Sequence, residues 1–225
     1  MFAPIFACLF GCGLQIGVNV VATAGPQART DTHFVLAAVD PNVKPGNPDY
    51  LALSKAVARA LTSQGFEQAK SLEAGDLVVL VDWMVSEPKL VTRHAGGDVG
   101  RPQVSGAAPG GKGGMPIGGT TNNGALGFGF EAQDRGEYSY VRVVTLQAVD
   151  RAAYVADPKS KPVWTMTLTS EGDTDEVPEF APQMVAGGMP YLATNAGKLH
   201  ATIGDKEDPV RYVAGEIPAL PAKKP

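Results

Sequence analysis

No charged side chain occurs before Arg29. A long uncharged and mostly apolar opening followed by ordinary polar sequence has the character of a targeting segment, which is removed from the mature protein. Phe2 to Val21 supplies the apolar run, broken by Pro4, Gly11, Gly13, Gln15 and Gly17, and Ala22-Thr23-Ala24 fits the small-x-small pattern of a signal-peptidase site. The expectation is a signal peptide over residues 1–24 and a mature protein that begins at Gly25. A membrane-spanning helix is the competing reading, and the glycines, Gln15 and Asn19 weigh against it. Leu9-Phe10-Gly11-Cys12 offers a second processing signal, a lipobox whose cysteine is acylated and becomes the first residue. Cys12 also reads simply as a small apolar residue of the leader. Membrane attachment is expected only if Cys12 is lipidated.

The two cysteines, Cys8 and Cys12, both lie in this opening, so the mature domain is expected to have no disulfide, no thiolate ligand and no cysteine nucleophile. Nineteen basic against twenty-three acidic residues give a net charge of −4. That balance offers no phosphate-backbone binding driven by counterion release, which sets nucleic acid aside as a partner. At 225 residues and 44% hydrophobic, the chain can bury a real core as one domain with appendages.

Signals at both ends define a helix from Pro48 to Gln64: Asn47 caps it, Pro48 suits its first turn and Gly65 suits a left-handed stop. Leu53, Ala56, Val57, Ala60 and Leu61 form its apolar stripe, with Lys55 and Arg59 expected to face water. His33 to Val39 is a strand candidate, and the continuous apolar run Leu77 to Val85 reads as a central strand in which Asp82 needs a partner or a wet position. Glu137 to Val149 and the alternation of Trp164, Met166 and Leu168 with Thr165, Thr167 and Thr169 predict an antiparallel hairpin with a long tip over Asp150 to Pro162. Trp164 is placed inward, beneath Leu53, Val57 and Leu61. Pro178 to Ala186 predicts a second helix that Tyr191 to Ala196 extends, and Leu199 to Ile203 a last short strand.

Between these elements, residues 95–130 hold little but Gly, Ala, Pro, Thr and Asn. So few bulky apolar groups do not offset ordering entropy, and the expectation is a disordered insertion between two strands. The Pro-rich end, residues 214–225, is expected to be unfolded as well. The predicted architecture is α+β, an antiparallel sheet of about four to five strands with two helices packed on it, in a single domain over residues 25–213.

Motifs of chemistry are sparse. Gly106 to Gly113 follows the phosphate-loop spacing up to Lys112, but Gly113 stands where a magnesium-binding hydroxyl belongs and Pro116 forbids an immediate helix. His33, His94 and His200 lack metal-ligand spacing. No serine sits in a nucleophile motif. Glu171, Asp173, Asp175 and Glu176 could offer oxygens to calcium, but their order is not that of an EF-hand, and a solvated acidic turn before a helix accounts for them. No cofactor, metal site or catalytic residue is therefore expected.

The helix ending Leu61-Thr62-Ser63-Gln64-Gly65-Phe66, then Ala74-Gly75-Asp76-Leu77-Val78-Val79, the strand closing at Val149-Asp150 and Pro162-Val163-Trp164 give the chain an order of cues that resembles the bacterial envelope lipoprotein family called domain of unknown function 4136. The resemblance runs from about Asp31 to Gly197 and implies an α+β domain attached to or resident in the envelope, in the periplasm or at the outer membrane, with no catalytic residue implied. The resulting expectation is a non-enzymatic exported module, structural or binding an envelope protein or cell-wall component. The alternative is a small ligand or cell-wall fragment held in a groove near the Gly-rich insertion, and convergence of polar groups at His94, Asp82 or the acidic turn would favour it.

Overall fold

A computed structural model describes residues 15–29, 32–91 and 137–221. By contacts the chain divides into Met1–Lys89 with Tyr138–Pro225, which carries the fold below, and Leu90–Glu137, of which little is described. The strands are β1 (Gln15–Ala24), β2 (His33–Ala38), β3 (Glu67–Gln68), β4 (Leu77–Val85), β5 (Lys89–Val91), β6 (Glu137–Asp150), β7 (Trp164–Gly172) and β8 (Gly197–Gly204). The helices are α1 (Pro48–Ser63), α2 (Arg151–Ala156), α3 (Val177–Gly188) and α4 (Asp208–Ala214).

The fold is α+β, as expected, but the sheet is mixed and larger than the sequence predicts. Its order is β3-β2-β4-β6-β7-β1-β8, with β5 as the eighth strand. Strand β2 pairs in parallel with both β3 and β4, and the remaining neighbours along that order are antiparallel. A parallel pair needs a crossover, and α1 supplies it between β2 and β3.

The largest departure concerns the opening. Residues 15–24, expected in a removable leader, form β1, hydrogen-bonded between β7 and β8. Ile16, Val18, Val20 and Ala22 are buried, while Asn19, Val21 and Thr23 are exposed on the other face. That is the two-residue period of a half-buried strand, and cleavage after Ala24 would remove a strand from within the sheet.

Helix α1 forms where its signals lie. Asn47 Oδ1 accepts the Tyr50 amide at 3.0 Å, and Gly65 takes a left-handed φ of 91° after the last turn. Its buried residues are the predicted stripe. Arg59 does not face water: it donates to the carbonyls of Tyr212 and Ile217 and stacks 4.5 Å from the Tyr212 ring. Those acceptors place the chain beyond Ala214 on the body of the protein, where Ile217 and Leu220 touch the core, so the expected unfolded tail is ordered to Pro221.

Helices α1, α3 and α4 cover one sheet face in a single core with Phe34, Val79, Leu146 and Trp164. The helix over β7 and β1 is α3, rather than α1 as the sequence suggested. Its approach is close because it ends in glycines. A Cβ on Gly187 would lie 3.2 Å from Val18 Cγ2, and one on Gly188 would lie 2.6 Å from Leu168 Cδ2. Gly188→Val is accordingly expected to destabilise by about 1–3 kcal/mol through overpacking, read as a lower urea midpoint at unchanged slope. After α3 the chain makes a 3-10 turn over Met189–Tyr191 and does not continue the helix. The predicted hairpin of β6 and β7 is present, and its tip contains α2, capped by Asp150 Oδ1 accepting the Ala153 amide at 2.9 Å. Helix α2 covers only a corner of the opposite face, where Ala153 and Tyr154 meet Val78, Leu80 and Val149.

Candidate functional site

Among the described residues, no helix covers the rest of that opposite face. Alternation turns Trp164, Met166 and Leu168 into the core and leaves Thr165, Thr167 and Thr169 half-buried on the outside of β7. In register with Thr167 lie Thr145 of β6 and Val21 of β1, and beyond them Asp82 of β4 and Lys198 of β8. The next row carries Met84, Val143, Thr169, Asn19 and His200. Met84 is 62% exposed and Val21 39%, so apolar groups are interleaved with hydroxyls and amides on a surface that solvent reaches. Thr23 and Thr165 share a hydrogen bond of 2.7 Å between their Oγ1 atoms, and His200 Nδ1 lies 2.9 Å from Asn19 Oδ1. The ring of His200 lies over Gly17, where a Cβ would approach Cε1 to 2.8 Å. Cross-strand pairing of this kind holds an array of side chains in fixed register.

Asp82 takes the wet position its place in an apolar run required, at one margin of this face. His33 stands elsewhere, at the start of β2, with Nδ1 2.9 Å from Asp76 Oδ2 and Nε2 3.6 Å from Glu67 Oε2. The His33 ring and then its amide, both hydrogen-bonded to Asp76, hold that carboxyl below its ordinary range. A depressed carboxylate pKa contributes stability that is present above the unfolded value and lost as pH falls through the folded one. His33→Ala should thus be less stable than the parent at neutral pH, and the gap should close below the carboxylate range. Urea melts at the two pH values read this directly.

The acidic turn packs against a buried cation. Arg142 on the core face of β6 has a side chain only 3% exposed, donates through Nε to the Thr174 carbonyl at 2.8 Å, and lies 3.9 Å from Asp173 Oδ1 and 5.0 Å from the Phe180 ring. Burial lowers its pKa, while Asp173 and Glu179 pull it back up. A Cβ at Gly172 would collide with the guanidinium, so glycine there keeps the path of Arg142 open. Among the described residues, no three His, Cys, Asp or Glu side chains gather as a metal site. Gly106 to Gly113 with Lys112, His94, Cys8 and Cys12 lie outside the described residues.

The described residues form clefts away from these groups. One of about 420 Å³ lies at the joint of β1 and β7, lined by Thr23 to Gln27 and Lys161 to Thr165. The other, about 560 Å³, lies in the loop before α1 between Asp40 and Asn47. Neither adjoins the His33 pair or the Arg142 turn in its lining. Among the described residues no helix is long and apolar enough to cross a membrane.

No family model and no curated protein matches the chain. Among solved structures, a PDZ domain protein from Parabacteroides distasonis is similar at 9% identity and a TM-score of 0.39, over 85% of this chain and 40% of that one. The chain thus spans less than half the length of that relative. A PelC dodecamer from Paraburkholderia phytofirmans is similar at 18% identity and a TM-score of 0.34, over 79% of this chain and 98% of that one. At these scores neither likeness bears on function.

Proposed function

We propose that the protein is exported to the cell envelope and works there, without catalysis, as a docking module whose contact surface is the open sheet face. The observation that carries this reading is the face itself: a register-locked array of Thr, Val, Asn and Met side chains, half-buried or exposed, over which, among the described residues, no helix lies beyond the corner at α2. Arg59 and Arg142 fasten the fold, Arg59 donating to the Ile217 carbonyl and Arg142 through Nε to the Thr174 carbonyl. Export needs a processing site that spares β1. The lipobox at Cys12 ends three positions before Gln15 and meets that condition, whereas a cut after Ala24 does not.

Thr167→Arg places a charge at the centre of the face without touching the core. Captured from envelope fractions by affinity tag, this variant is expected to lose the proteins that the parent retains, at unchanged thermal stability. Retention of every parent partner would sink the docking reading. A second reading, a small ligand or cell-wall fragment, is favoured by the cleft at Lys161 to Thr165, and saturable binding of glycan fragments lost in Lys161→Ala would support it.

A further inference from the structure

The cleft at the joint of β1 and β7 is walled by two short runs of chain, Thr23 to Gln27 and Lys161 to Thr165. These walls are fastened to each other and to the sheet. Gly25 N donates to the Val163 carbonyl at 2.8 Å, Val163 N donates to the Ala148 carbonyl at 2.7 Å, and Thr23 and Thr165 share their hydrogen bond of 2.7 Å. Trp164, in register with Ala24 and Ala148, is buried between them. Pro26 and Pro162 fix φ in one wall each. A site so braced gives up little conformational entropy when it is filled, and its volume of about 420 Å³ falls within the roughly 300–1,000 Å³ of small-molecule sites.

We propose that this cleft takes a carboxylate-bearing sugar, with the Lys161 ammonium on the carboxylate and the Thr23–Thr165 pair on an oxygen of the ring. The proposal rests on the reading of the cleft as the seat of a small ligand or cell-wall fragment, and it names the chemistry of that ligand.

The polar groups of the lining decide the class. Among the described residues that line the cleft, Lys161 is the one charged side chain, and no Asp or Glu opposes it. Lys161 is exposed and makes no ion pair among the described residues. An ammonium so placed offers three donors and no acceptor, which suits an anion. Whichever threonine donates within the Thr23–Thr165 pair, the hydroxyl hydrogen of the other is left over, and it can meet one acceptor at a position set by the strand register. Ala24, Pro26, Pro162 and Val163 add apolar surface beside these donors. A sugar ring carries C–H surface and oxygens side by side, and a carboxylate on it completes the match. A bare inorganic anion would leave the apolar walls unmatched.

Position argues against a lipid headgroup as the source of the charge. The anchor proposed at Cys12 joins β1 at Gln15, and the cleft begins at the other end of that ten-residue strand, about 30 Å away.

The test is an amide chemical-shift titration of the full chain in detergent with N-acetylmuramic acid, with N-acetylglucosamine, which has the same ring without the lactyl carboxylate, and with inorganic phosphate. The acid is expected to move the amides of Gly25, Lys161 and Thr165 saturably, with a Kd about fivefold below that of the neutral sugar, the size of an exposed ion pair. Lys161→Gln should abolish the preference and leave the Kd of the neutral sugar unchanged, and Lys161→Arg should keep it. Both are surface changes that should leave the melt as it is. Phosphate that binds as tightly as the acid overturns the assignment to a sugar. Equal Kd values for the two sugars, or a preference that survives Lys161→Gln, overturn the role of the carboxylate while the cleft remains a glycan site. If neither sugar moves these amides saturably, the ligand reading of the cleft falls together with the proposal.

Discussion

A chain that begins at Gly25 is expected not to fold, whereas one that begins at Cys12 melts like the full sequence. Strand β1 lies between β7 and β8 and buries Ile16, Val18, Val20 and Ala22 under α3. Without it β7 becomes an unpaired edge, β8 loses its neighbour, and Gly187 has nothing to rest on, since its contact is Val18. Full burial of a valine or isoleucine side chain contributes about 1.5–3 kcal/mol, so losing three such residues and a strand's ladder rivals the roughly 5–15 kcal/mol by which a domain is stable. Far-UV circular dichroism with urea titration reads the outcome. A cooperative melt of the shorter chain at the parent's midpoint would show that β1 is dispensable and the leader reading right.

Trp164→Ala is expected to cost about 3–5 kcal/mol through lost transfer energy and an unfilled cavity. The side chain is 1% exposed, opens β7, and sits in register between Ala24 of β1 and Ala148 of β6, two small neighbours that cannot close the space it leaves. Its indole Nε1 has no hydrogen-bond partner among the described residues, so Trp164→Phe, which removes that donor and keeps an aromatic ring, should cost far less. Thr167→Ala, on the open face, should be nearly neutral. Guanidinium melts of the three variants separate a packing role from a polar one, and a neutral Trp164→Ala would put the tryptophan outside the core.

Much of the fold was legible where local signals agree with tertiary ones. Asn47, Pro48 and Gly65 mark α1 because caps act within a single turn, and the alternation of β7 named its inward face because a strand's period is two. What the sequence concealed has physical causes. In β1, the alternation Ile16, Val18, Val20 and Ala22 is diluted by Val21 on the outer face, and an uncharged strand with small residues has the composition of a leader. The parallel pairing of β2 with β4 depends on a crossover, which no local pattern records. Arg59 looked like a surface charge because its acceptors, the carbonyls of Tyr212 and Ile217, lie distant in sequence.

The candidate face was half legible. Thr165, Thr167 and Thr169 announced a hydroxyl side to one strand, but the array arises only when β4, β6, β1 and β8 bring Asp82, Thr145, Val21 and Lys198 into line with it. Register sets that line, and the turns and loops that fix register carry no mark of the residues they will align.

The N-terminal residue of the protein recovered from envelope fractions tests the central claim most directly, because an exported module built around β1 must keep Gln15 to Ala24. Mass spectrometry of that terminus is expected to find Cys12 carrying acyl chains, with β1 intact behind it. A mature terminus at Gly25 would contradict the account, since the exported protein would then lack the strand on which both its sheet and its docking face depend.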